Sequence, residues 1–71
     1  MTPAAAIRRD LRSPPGIADP AELRRFRIGY LAGLILDGRA ADPEVYRVIR
    51  DLPDVAALIS DAKAWLAEAG R

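Results

Sequence analysis

DPAELRRFRIGYLAGLILDG, residues 19–38, carries the punctuation of one complete helix. Asp19 can cap the amino terminus, and Pro20 fills the first helical position, where its missing N–H costs nothing. Glu22 stands three residues after the cap, as in a capping box. Gly38 offers the left-handed residue on which helices commonly stop. The spacing predicts a helix from Pro20 to about Asp37. Neither here nor elsewhere does the chain show the period-two alternation or the β-branched enrichment of a strand.

The interior of this helix changes character halfway. Arg24, Arg25 and Arg27 crowd its first half, and the nine residues from Ile28 to Leu36 carry no charge. At 100° per residue, Leu23, Phe26, Tyr30 and Leu34 form one apolar stripe, while Ile28, Leu31 and Ile35 form a second on another side. Two apolar faces need two partners. The uncharged run is too short for a membrane span, because nine residues rise only about 14 Å against a hydrocarbon core of about 30 Å.

The same start signal recurs at Asp42-Pro43-Glu44 and predicts a helix over 43–51, with Val45, Val48, Ile49 and Leu52 turned inward. Arg47 and Asp51 are spaced to pair on its wet side. Leu52-Pro53-Asp54 interrupts and restarts the chain. A last helix is expected over 53–69, with Val55, Leu58, Ile59, Ala62, Trp65, Leu66 and Ala69 in an arc of about 120° that would face the core. Gly70 would close it.

At the front, Thr2 and Pro3 open a short helix over about 3–12. Ala4, Ile7 and Leu11 share one face, and Arg8, Arg9 and Arg12 occupy the others. Ser13-Pro14-Pro15-Gly16 ends it, since each proline lacks a donor and biases its predecessor away from helix. The expected fold is all-α: a small bundle of three main helices, about 20–37, 43–51 and 53–69, plus the short N-terminal helix. Residues 1–18 read as a basic arm with a Pro-rich hinge, and residues 19–71 as the helical domain.

Seventy-one residues bound the stability of such a domain. A single core of this size leaves a net of about 3 to 5 kcal/mol, and association would add to it. With 51% hydrophobic and 30% charged residues, the composition is too apolar for disorder and too charged for a membrane protein. No positive segment leads into an apolar run of signal-peptide type, so a cytoplasmic globule is expected. Arginine outnumbers lysine ten to one, a bias that folding physics does not demand and that points to GC-rich coding in a bacterium or phage.

The chain has no cysteine and no histidine, which removes the thiolate nucleophile, the neutral-pH proton carrier and the commonest metal ligands. Ser13 and Ser60 sit in no nucleophile motif, and the aspartates lack the alternating spacing of a calcium loop. Catalysis, cofactor binding, metal binding and small-molecule turnover are not expected.

Two features point instead to surfaces. Gly29 and Gly33 lie four apart on one side of the long helix with Leu36 nearby, an arrangement that permits close backbone approach. Each interior glycine costs about 0.8 to 1 kcal/mol relative to alanine, so a pair asks for a packing reason. One candidate is a crossing with another helix of the same chain; the other is a second copy or a foreign protein. The second feature is charge. Residues 1–36 carry six arginines against three acids, and residues 37–71 five bases against seven acids. Arg8, Arg9, Arg12, Arg24, Arg25 and Arg27 are either a solvated face or, if the first helix folds back, one anion-binding surface.

The expected function is therefore a helical protein–protein interaction module, a regulator, inhibitor or assembly factor. Its interface residues would be Ile7 and Leu11, docking as helix-in-groove anchors, together with Ile28, Gly29, Gly33, Leu36 and the exposed aromatic Tyr46. The six arginines would steer the approach to an acidic partner. Trp65, at the edge of a core stripe, reads as a packed residue ahead of a binding one. The alternative function is an arginine-based nucleic-acid binder contacting mainly phosphates. The chain has no Asn or Gln to read adenine.

Overall fold

The computed structural model describes residues 3–69, and over these the chain is a small all-α protein. Four helices follow in order: α1 (Pro3–Arg12), α2 (Pro20–Leu36), α3 (Pro43–Arg50) and α4 (Val55–Ala69). The Thr2 cap and the Gly70 stop expected from the sequence lie outside the described residues. No described helix is long and apolar enough to cross a membrane.

Local chemistry sets most of the boundaries. Asp19 and Asp42 both take extended backbone and turn their carboxylates onto the next turn, accepting from Ala21 N–H at 3.4 Å and from Glu44 N–H at 2.9 Å. Gly38, at φ +74°, takes the left-handed conformation that ends α2. The chain then tightens into a single 3-10 turn, Arg39–Ala41, which the sequence pattern did not announce.

α4 begins two residues later than the expected start at 53. Asp54 has φ +54°, a left-handed conformation incompatible with a continuing helix and one that aspartate tolerates better than most residues. Pro53 and Asp54 therefore form a turn, and the first α4 bond runs from Leu58 N–H to the Asp54 carbonyl at 3.0 Å.

α2 packs chiefly on α4, and α1 chiefly on α3. Leu31, Ala32 and Leu34 of α2, Val45, Val48 and Ile49 of α3, Leu52 of the following turn, and Leu58 and Ala62 of α4 are buried together. Ile7 and Leu11 join them at 2% and 0% exposure. These two were expected as anchors for an outside partner. The groove they fill belongs to their own chain, because a helix as short as α1 is marginal in water until its apolar face is covered. The segment 1–18 is thus no detached arm: α1 supplies part of the core, and Pro14 beyond it is buried as well.

The inward face of α3 is as expected. That of α4 is not. Leu58 and Ala62 are buried and Val55, Ile59 and Leu66 pack against the core, but Ala69 is exposed and Trp65 is 51% exposed. Trp65 lies at the flank of the stripe, beside α2 but not covered by it.

Candidate interaction surface

The long helix α2 positions this surface. Its core-facing side holds Leu31 and Leu34, while Leu23, Phe26, Ile28, Tyr30 and Ile35 are half-buried. The opposite side stays uncovered. Arg25, Gly29, Gly33 and Leu36 fall within an arc of about 80° around the helix axis, and all four are exposed. Leu36 is 74% exposed. A Cβ built on Gly29 or Gly33 would meet no atom within 4 Å. The chain therefore makes no close helix crossing at the glycine pair, and that explanation of the two glycines is removed.

Next to this face, α2 and α4 enclose an open groove of about 450 Å³. Its α2 wall is Arg25, Ile28 and Gly29; its α4 wall is Asp61, Ala64, Trp65 and Glu68. Trp65 and Gly29, which has no side chain, thus line opposite walls of the groove. One wall is cationic at Arg25 and the other acidic at Asp61 and Glu68. Arg24, one residue from Arg25, already pairs with Asp61. Both partners are about half exposed, so the pair contributes at most about 1 kcal/mol. Arg25 and Glu68 make no ion pair among the described residues.

Tyr46 is exposed, as expected, but sits elsewhere. It borders a smaller hollow of about 180 Å³ with Leu31, Ile35, Ile49 and Ile59, and no residue lines both this hollow and the groove. The seven expected interface residues therefore divide into three sets. Ile28, Gly29, Gly33 and Leu36 share the outer side or flank of α2, Tyr46 stands apart on α3, and Ile7 and Leu11 are inside.

The arginines divide too. Arg8, Arg9 and Arg12 are exposed on α1, with Arg9 3.6 Å from its neighbour Asp10. Arg27 is half-buried, and its Nε donates to the Leu11 carbonyl at 2.7 Å. It caps α1, where the last carbonyls have no partner within the helix. Arg24 and Arg27 thus have partners within the chain, whereas Arg25, exposed on the outer side of α2, makes no ion pair among the described residues.

Beside Arg27, Tyr30 donates its hydroxyl proton to Asp10 Oδ2 at 3.0 Å, with the Phe26 ring packed 5.6 Å away centroid to centroid. Burial raises the Tyr30 pKa above the ordinary 10.0, and the hydrogen bond and negative charge of Asp10 push the same way against a pull from Arg39 and Arg9. Arg27 and Tyr30 together fasten α1 to α2.

Trp65 is the residue that the sequence pattern undervalued. The signal was its place at the edge of the α4 stripe, since a large ring at a stripe boundary is covered only if a neighbouring helix extends that far. No group of three metal-ligating side chains is present among the described residues. In comparisons with known proteins, no family model, no curated protein and no solved structure matches the chain.

Proposed function

We propose that this chain is a helical interaction module, a regulator, inhibitor or assembly factor of the bacterial or phage cytoplasm, which binds protein through the outer face of α2 and the α2/α4 groove. One observation carries this reading: Trp65 and Leu36 remain exposed beside two glycines that no part of the chain approaches. Tryptophan in a partly built pocket is the residue type that dominates binding energy at protein interfaces. The glycines cost the isolated helix stability and return nothing within the fold. A covering partner accounts for both. Neither catalysis nor a cofactor has a place in this proposal.

Site-specific photocrosslinking tests it. A photoreactive residue replacing Leu36 should form a protein adduct in living cells, and one at Arg50, on α3, should not form that adduct. If position 36 yields no protein adduct, the module reading fails.

A second reading, phosphate-backbone binding, is favoured by Arg8, Arg9, Arg12, Arg47 and Arg50. All are exposed on α1 and α3, which pack together, and only Arg9 is ion-paired among the described residues. Such binding would weaken log-linearly between about 50 and 200 mM salt. No retention of DNA or RNA at low salt removes it. The first reading is preferred because phosphate contacts leave the exposed Trp65 and Leu36 unexplained.

A further inference from the structure

Resting on that reading, we infer that the occupant of the α2/α4 groove is a second copy of this chain, related by a two-fold axis that runs along the groove. The charge on the two walls carries the inference. The α2 wall presents Arg25 and the α4 wall presents Glu68 and Asp61, so the groove is basic on one side and acidic on the other. In an isologous interface each surface meets its own rotated copy. An axis along the groove exchanges the two walls and so brings the basic wall of each copy onto the acidic wall of the other, where the proposal pairs Arg25 with the partner's Glu68 twice per dimer. An axis perpendicular to the floor of the groove would leave two molecules side by side with no face covered. A foreign partner would have to supply its own alternation of charge, whereas a second copy already has it.

Shape agrees with charge. The same rotation brings the α4 wall that carries Trp65 onto the partner's α2 wall, where Gly29 has no Cβ to obstruct a flat ring. Large ring and missing side chain thus stand on opposite walls of one groove, as Arg25 and Glu68 do. Arg24 is held to Asp61 within the chain, which leaves Glu68 as the free acid for Arg25.

The test is sedimentation equilibrium of the full chain from about 5 to 500 μM, with Trp65 emission followed over the same dilution. The expected mass at high concentration is twice the 7.7 kDa of the chain, with Trp65 emission shifting to shorter wavelength as the dimer forms. Arg25→Glu and Glu68→Arg should each weaken dimerisation at least tenfold, and the double variant should restore it to within about threefold, because both copies then carry the exchanged pair. All these sites are exposed, and helical circular dichroism checks that each variant folds. Trp65→Ala, which leaves the core untouched, should also abolish the dimer. A monomer at every concentration overturns the inference, as does a dimer indifferent to the single exchanges or a double exchange that fails to rescue. A monomer that still crosslinks to a different protein through position 36 would overturn only the second copy and leave the interaction module standing.

Discussion

The guanidinium of Arg27, in the middle of α2, donates from Nε to the carbonyl oxygen of Leu11 in the last turn of α1, across 2.7 Å. One side chain thus satisfies a helix end, places positive charge at the negative pole of α1 and joins two elements separated by a proline-rich turn. Arg27→Ala should lower the unfolding free energy by about 1 to 3 kcal/mol, the range for losing a hydrogen bond from a half-buried charged donor. Urea denaturation measures it, with the exposed Arg25→Ala expected within about 0.5 kcal/mol of the parent at concentrations where the chain is monomeric. Equal midpoints for Arg27→Ala and the parent would mean that α1 is not capped in this way.

Leu11 is the second consequence of the same docking. A basic arm would tolerate Leu11→Ala, since nothing in the domain would depend on it. In the fold observed here Leu11 is completely buried, and truncating a buried leucine costs about 2 to 5 kcal/mol. Against a total of about 3 to 5 kcal/mol for a core of this size, the variant should be largely unfolded at 37 °C by circular dichroism. Retention of the parental melting curve would return α1 to the status of an appendage.

The Tyr30–Asp10 bond gives the α1 contact a pH dependence of definite sign. Because the Tyr30 pKa is raised in the folded chain, the unfolded chain ionises first as pH increases. The stabilisation is complete below the ordinary tyrosine pKa of about 10 and is lost as pH climbs through the higher folded value. Thermal melts from pH 8 to 11.5 should show the melting temperature of the parent falling more steeply above pH 10 than that of Tyr30→Phe. Parallel curves for the two proteins would remove Tyr30 as the cause.

These relationships also mark how far the sequence alone reaches. The ends of α2 and α3 were legible because Asp-Pro at the start and Gly38 at the stop act locally, through one side chain and one backbone angle. The α4 start was misplaced because Asp54 adopts a left-handed angle that proline-based rules for helix initiation do not encode. Ile7 and Leu11 showed a clear apolar face, but periodicity says that a face is buried without saying by whom. Arg24, Arg25 and Arg27 looked equivalent in the sequence. Their separation into an ion pair, a free charge and a helix cap depends on Asp61 and Leu11, residues 37 and 16 positions away. Trp65 was lost for the complementary reason, since the reach of neighbouring helices is not a property of its own helix.

The glycine pair allows the sharpest separation between folding and association. Neither glycine has a positive φ, and neither has a neighbour within 4 Å of where a Cβ would stand. Alanine at either place therefore fits the isolated chain and should stabilise it by about 0.5 to 1 kcal/mol through helix propensity and a less flexible unfolded state. Denaturation at low micromolar concentration should show this gain for Gly29→Ala and Gly33→Ala alike. Association distinguishes them: Gly29 lines the groove, where a new methyl group would lift the partner's Trp65 from its seat, whereas Gly33 lies one turn beyond. Sedimentation should find the dimer weakened by Gly29→Ala and much less by Gly33→Ala, so that a variant more stable as a monomer is poorer at pairing. If instead Gly33→Ala lowers monomer stability, some part of the chain approaches that backbone closely in solution, and the outer face of α2 is not open.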